Sequence, residues 1–329
     1  MKYRKLADTD ISVSEVGFGL WTLSTGWWGP VDDERSVRLL RQAHEKGINY
    51  FDTADTYGSG LGETLLADAF APHMRDKVVI STKIGYDFYN HTQRRGQQER
   101  PQNWSEEFIR FALEQSLKRL GTDYIDFLQL HNTKMDAIDN DELFELMEEF
   151  EREGKVRAYG VALGPKIGWL EEGVKAMRER SLNGLQMIFN LLEQDPGRAL
   201  IETARQTSTS LIVRVPHSSG MLEGKYTKET TFAKNDHRRH RPKEWLLDGL
   251  KKIEQLYFLS SSGERTLGQA ALKFILASPE IASTLPNIYD EEQLEEFAGA
   301  PEVADLTEEE LARIEELYES NFGLEPARR

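Results

Sequence analysis

Eight short apolar runs, each followed by a stretch of helical periodicity, most strongly limit what this chain can fold into. The runs lie at 16–20, 48–51, 78–82, 125–130, 156–161, 185–189, 211–215 and 282–285. Between them, residues 32–45 read as helix ending before Gly47. Residues 105–120 put Ile109, Ala112, Leu113, Ser116, Leu117 and Leu120 on one face, with Gly121 as a left-handed stop. Residues 266–277 carry Leu267, Ala270, Ala271 and Phe274 on a similar stripe. Strands that alternate with helices make a parallel sheet. Eight such units in one chain predict a closed (β/α)8 TIM barrel of the α/β class, a single domain over 1–329. Two segments fall outside the repeat. Residues 2–14 read as a hairpin closing the bottom of the barrel. Thr307, with Glu310 three residues later, forms a capping box that opens an extra C-terminal helix striped by Leu311, Ile314 and Leu317.

The chain has no cysteine, so thiolate catalysis, disulfides and cysteine-ligated zinc are excluded. A formal charge of −15 makes nucleic acid and anionic membranes poor partners. No apolar run approaches the length of a membrane span, and the first residues show charge without an apolar core. The expectation is a cytoplasmic chain. One basic cluster, His237-Arg238-Arg239-His240-Arg241, interrupts the acidic background. Its arginines would repel a cation, so no metal site is expected there.

Barrel strands converge on one mouth, and chemistry is carried at their C-terminal ends. Three successive strands end in polar residues: the second at Asp52, with Tyr57 in the next turn, the third at Lys83 and the fourth at His131. Asp52 alone reads equally well as a helix cap, and each of the others has a packing explanation. Their joint placement is what points to chemistry. A phenol is a poor acid at neutral pH, and a neighbouring ammonium favours its ionised form. A buried lysine needs a counter-charge, which Asp52 can supply. With His131 orienting a carbonyl oxygen or sharing a proton with Tyr57, the four make a proton-donating site.

The segment Phe51-Asp52-Thr53-Ala54-Asp55-Thr56-Tyr57-Gly58, with Glu63 downstream, resembles the signature of the aldo-keto reductases. Ser81-Thr82-Lys83, the run from Asp123 to His131, Gly154-Lys155-Val156-Arg157, the stretch from Gln186 to Leu192 and residues 220–226 fit the same family in order and spacing. The resemblance implies NADPH or NADH bound without a Rossmann fold, a small-molecule carbonyl substrate, and hydride transfer with Tyr57 as proton donor. It further implies that Lys83 and Asp52 tune Tyr57 and that His131 positions the carbonyl. By the same resemblance Gln186 bonds the nicotinamide carboxamide and Trp21 lines the pocket. The cofactor shell would also include Arg214, Pro216, His217, Ser218, Gly220, Leu222, Gly224, Lys225, Gln293 and Glu296.

Departures from the family pattern concentrate in that shell. Ala162 and Leu163 stand where a Ser-Asn pair holds the carboxamide, and Arg214 stands where an aromatic stacks on the ring. Tyr289 replaces a basic residue that grips a 2′-phosphate, Asn287 a common glycine and Phe297 a common asparagine. Asp290, Glu291 and Glu292 add an unfavourable field for that phosphate, so NADPH preference is not simply inherited. Arg238, Arg239 or Arg241 is expected to close over the cofactor phosphates, because its planar fork binds phosphate oxygens in pairs. The alternative is a nucleotide-binding sensor of the same fold with little turnover. A barrel hydrolase or lyase leaves the matches at Gln186 and 220–226 unexplained. Trp27, Trp28, Tyr86, Phe88 and Tyr89 read either as an aromatic-lined mouth or as packing between loops.

Overall fold

The structure is a computed structural model describing residues 1–29, 32–92, 99–165 and 168–325. In the polar stretch between Ile84 and Glu106, residues 93–98 therefore lie outside the described residues. An antiparallel hairpin, β1 (Tyr3–Lys5) and β2 (Ser12–Ser14), comes first. Eight parallel strands follow: β3 (Phe18–Gly19), β4 (Tyr50–Asp52), β5 (Val79–Ile84), β6 (Phe127–His131), β7 (Tyr159–Ala162), β8 (Gly184–Ile188), β9 (Ser210–Arg214) and β10 (Ile281–Leu285). They pair in sequence order from β3 to β10. A parallel bridge between Val16 and Thr284 joins the first strand to the last, with Gly17 N donating to Thr284 O at 2.9 Å. The predicted barrel is present, and its strand boundaries move by at most three residues.

The helices are α1 (Trp21–Ser24), α2 (Asp33–Glu45), α3 (Leu61–Phe70), α4 (Glu106–Leu120), α5 (Met135–Ile138), α6 (Asp141–Arg152), α7 (Leu170–Glu179), α8 (Gly197–Thr207), α9 (Lys243–Leu256), α10 (Leu267–Leu276), α11 (Glu291–Ala298) and α12 (Glu308–Glu319). Side-chain caps fix several of their starts. Asp32, Ser105, Thr266 and Thr307 each accept the backbone N–H three residues on, and the last two form full capping boxes.

Strand alternation divides the barrel into an apolar base and a polar mouth. Tyr50, Val79, Phe127, Ala158, Ile212 and Ala282 point inward at the base, where Leu6, Ile11 and Val13 of the hairpin cover them. Arg4 fastens that cover by donating to the carbonyls of Leu276, Ser278 and Ile281 at 2.7–2.9 Å. Phe51, Ile80, Leu128 and Leu130 face outward into the layer shared with the helices. Two residues beyond each inward base residue, the same face reaches Asp52, Ser81, Gln129 and Arg214. Two further on, it reaches Lys83 and His131. Room for Phe127 in the base depends on glycine: a Cβ at Gly160 would lie 2.0 Å from the Gly184 carbonyl oxygen and 2.8 Å from the Phe127 ring.

Candidate active site

Asp52 and Lys83 meet at the centre of the barrel on neighbouring strands β4 and β5. Lys83 Nζ donates to Asp52 Oδ2 at 2.6 Å and to the Thr53 carbonyl at 2.7 Å. The lysine is fully buried and Asp52 is 4% exposed. Burial of this pair is tolerable because the second carboxylate oxygen is also satisfied. Asp52 Oδ1 accepts from Ser81 Oγ at 3.1 Å, Gln129 Nε2 at 3.0 Å and Gln186 Nε2 at 3.1 Å. Four strands, β4, β5, β6 and β8, thus converge on one carboxylate.

Tyr57 follows β4 on a 3-10 turn that crosses Gly58 and Ser59, both at positive φ. Its ring lies 5.2 Å from Lys83 Nζ and packs edge-on to His131 with centroids 5.7 Å apart. Tyr86 also packs edge-on to His131, with centroids 4.9 Å apart. Burial, and then the charges of Lys83 and Arg214, hold the His131 imidazole well below its usual pKa. It is therefore neutral, with one nitrogen able to donate and the other to accept. Its Nδ1 has no hydrogen-bond partner. The arrangement offers a phenol beside an ammonium and a neutral imidazole, which suits protonation of an oxygen placed between the two rings.

Arg214, at the end of β9, completes this mouth. Its Nη2 donates to the carbonyls of Leu163 and Gly164 at 2.7 and 2.5 Å, while its Nε is buried without a partner. The guanidinium thus occupies backbone acceptors beside the segment that lacks the Ser-Asn side chains. Beyond β9 the chain enters a left-handed run at Val215, Ser218, Ser219 and Gly220, and again at Gly224. A β-branched residue at φ +57° is a strained conformation, of the kind that concentrates at ligand sites.

The sequence profile of the aldo/keto reductase family matches residues 15–319. The chain is an aldo-keto reductase. NAD(P)H-dependent carbonyl reduction is the family's reaction, and the reductase described here is an NAD(P)-dependent oxidoreductase. It is 30% identical over 323 residues to the oxidoreductase YqkF of Bacillus subtilis, covering 96% of both chains. It is 27% identical to the NADH-specific methylglyoxal reductase of Escherichia coli, covering 97% of this chain and 99% of that one. Among solved structures, aldo-keto reductase AKR11C1 from Bacillus halodurans (holo form) is 29% identical, with 96% of each chain covered and a TM-score of 0.76.

The remaining expected cofactor residues of the reductase divide into several groups. Residues 216–220 are buried in the loop after β9. His217 packs its ring on Phe297 at 4.4 Å and reaches the Gly268 carbonyl at 3.1 Å, and burial lowers its pKa to about 4. Leu222 is buried between Gly220 and Gly224. Lys225 pairs with Glu292 at 3.1 Å. Gln293 is buried and donates to Glu223 at 2.9 Å, whereas Glu296 turns to the Thr266 hydroxyl at 2.5 Å. Gln186 has its amide on Asp52 rather than on the mouth surface. Trp21 starts α1 and packs edge-on against Trp27, Trp28 and His237.

Within the basic cluster Arg241 reaches Ser219 Oγ at 3.5 Å, in the loop after β9. The Arg238 guanidinium is held by Asp236 and the Tyr226 hydroxyl and stacks on Trp28 at 3.7 Å. Among the loop aromatics, Tyr86 meets His131. Phe88 and Tyr89 pack on one another at 4.0 Å, and Tyr89 continues toward Phe108 and Phe111 of α4, so this pair packs the loop onto a helix. Sequence reasoning missed Ser81, Gln129 and Glu223. The first two had a readable signal, since each lies two residues before a named site residue and so shares its face.

Proposed function

We propose that Tyr57 is the proton donor of a carbonyl reduction carried out by one barrel domain spanning residues 1–329. The observation that carries this reading is the buried ammonium of Lys83, bonded to Asp52 at 2.6 Å and facing the Tyr57 ring at 5.2 Å. When bound, NADH or NADPH supplies the hydride that the carbonyl carbon receives. Tyr57 transfers its hydroxyl proton to the carbonyl oxygen, giving the alcohol. Lys83 stabilises the negative charge that develops on the phenol oxygen as the proton leaves. Asp52 holds Lys83 in place and neutralises it at rest. Neutral His131 donates a hydrogen bond to the carbonyl oxygen and fixes its position between the two rings. The substrate is a small aldehyde or ketone entering past Tyr86.

The residues present fit a dinucleotide. Unpaired buried atoms at Arg214 Nε and Glu223 Oε1 flank the loop at 215–220, where Val215, Ser218, Ser219 and Gly220 are left-handed. Arg214, Ser218, Gly220, Lys225, Arg241 and Gln293 would hold it. The E. coli relative named as an NADH-specific methylglyoxal reductase supports a small carbonyl substrate and leaves NADH open as the cofactor. The test is Tyr57→Phe. The variant is expected to bind nucleotide with unchanged affinity while losing about 10²–10⁴-fold in turnover. Wild-type turnover by that variant would refute the role. Nucleotide binding without consumption across a carbonyl panel by the wild type would point to a sensor instead.

A further inference from the structure

We propose that Glu223 selects the cofactor: its carboxyl accepts hydroxyl hydrogens of the adenosine ribose and excludes a 2′-phosphate, making the reductase selective for NADH. The inference rests on the reading above that residues 220–225 and Gln293 hold the dinucleotide.

Three observations carry it. Glu223 lies on a one-turn 3-10 segment between Gly220 and Gly224, both left-handed, so the backbone sets the direction in which its side chain leaves the chain. Its Oε2 accepts from Gln293 Nε2 at 2.9 Å. Gln293 is itself fixed, accepting from Tyr289 N at 3.2 Å and donating its own N–H to Asp290 Oδ1 at 2.8 Å. The loop after β9 and the start of α11 are thus clamped together through this carboxyl. Its other oxygen, Oε1, is buried and has no partner. A buried acceptor left unmet is costly and is completed by a donor. A ribose hydroxyl is a donor, whereas a phosphate offers acceptors alone. A carboxylate on the ribose 2′-hydroxyl is the general device by which proteins choose the unphosphorylated dinucleotide.

The charges around it point the same way. The start of a helix ordinarily attracts an anion, but at α11 Asp290 already caps it and Glu291 and Glu292 fill the first turn. The two cations that act on Glu223 are Lys225 and Arg238. Lys225 is paired with Glu292, and Arg238 with Asp236. Tyr289, beside Asp290, brings no charge to the place. Burial raises the Glu223 carboxyl to about 7. Its ionised form repels a phosphate, and both forms retain an oxygen that accepts from a hydroxyl.

The experiment is direct binding by quenching of tryptophan fluorescence, with NADH, NADPH, ADP-ribose and 2′-phospho-ADP-ribose as probes, at pH 8. Wild type is expected to bind NADH at least about tenfold more tightly than NADPH, with the same order for the two fragments. Glu223→Thr is expected to narrow that ratio about tenfold, mainly by gaining affinity for the phosphorylated probes. Tyr289→Arg, which leaves Glu223 in place, is a second route to the same gain should Glu223→Thr fold poorly. Equal or tighter binding of NADPH by wild type would overturn the proposal, as would an unchanged ratio in a folded Glu223→Thr. Failure of every probe to bind wild type would sink the dinucleotide reading itself, and this proposal with it.

Discussion

Replacing Lys83 with methionine removes the ammonium while keeping most of the side-chain volume, so charge and packing are separated. The ammonium lies 5.2 Å from the Tyr57 ring centre. Two unit charges about 5 Å apart interact by roughly 3 kcal/mol at an effective dielectric of about 20. That energy is lost as the phenol gives up its proton, so turnover is expected to fall about a hundredfold. Stability is affected through Asp52. Its carboxylate keeps Ser81, Gln129 and Gln186 as donors but loses its counter-charge in a site that is 4% exposed. Breaking such a pair costs about 3–5 kcal/mol, and the three remaining donors place this case near the lower end. The double variant Asp52→Asn/Lys83→Met removes the stranded charge, so most of the lost stability is expected to return while the rate stays low. Urea unfolding of wild type, both singles and the double gives the stability cycle. Nicotinamide absorbance gives turnover, and fluorescence titration confirms nucleotide binding. Lys83→Met turnover within about threefold of wild type would refute the electrostatic role. A double variant no more stable than Lys83→Met would refute the claim that Asp52 depends on the ammonium.

Gly160→Ala is expected to destabilise the barrel by about 3 kcal/mol or more, because the added methyl meets the Gly184 carbonyl oxygen at 2.0 Å and backbone cannot yield as a side-chain tip does; an unfolding midpoint unchanged from wild type would contradict the close approach of β7 and β8. Glu223 gives a pH prediction. Its folded-state pKa, about 7, lies above the ordinary value of 4.5, so the fold prefers the protonated form. The associated stability is complete below about pH 4.5 and is lost as pH rises through 7. Glu223→Gln should therefore match wild type near pH 5 and exceed it at pH 8 by on the order of 1–2 kcal/mol after screening by water. Lys225, Arg238 and Glu296 also act on this carboxyl, the first two lowering its pKa and the third raising it. Melting curves from pH 5 to 8 with a constant difference would refute the shift.

The fold was legible because its signals are local. Each strand is a short apolar run, and Asp32, Ser105, Thr266 and Thr307 announce their helices by capping chemistry within four residues. Asp52, Lys83 and His131 were legible for a related reason: a barrel sends every strand end to the same mouth, so position along the strand fixes position in space. Other features depend on pairings that the chain makes far apart. Gln186 reaches Asp52 across 134 positions, and Gln293 reaches Glu223 across 70. Neither pairing has a periodicity to betray it. Arg238 makes contacts that its own cluster does not announce. A run of basic residues suggested phosphate binding, yet Asp236 two residues earlier captures its guanidinium and Trp28 supplies the surface on which it stacks. Net charge within a loop does not say which cation remains free.

The polar groups of the mouth fall into two classes, and the difference separates scaffold from recognition. Asp52 and Lys83 have their charges matched inside the protein, by donors and acceptors from β4, β5, β6 and β8, so closing the barrel assembles them. His131 Nδ1, Arg214 Nε and Glu223 Oε1 are buried without partners. Leaving such groups unmet costs about 1–3 kcal/mol each in the free protein. A fold retains that cost where a ligand removes it, because the donor or acceptor held ready in the free state needs no reorganisation on binding. Other buried atoms also lack partners, Gln129 Oε1 and Asn132 Oδ1 among them; His131, Arg214 and Glu223 stand apart because each lies beside the phenol or along the loop proposed to hold the dinucleotide. Specificity then resides in the unmet groups, while the satisfied Asp52–Lys83 pair sets the charge beside the Tyr57 ring.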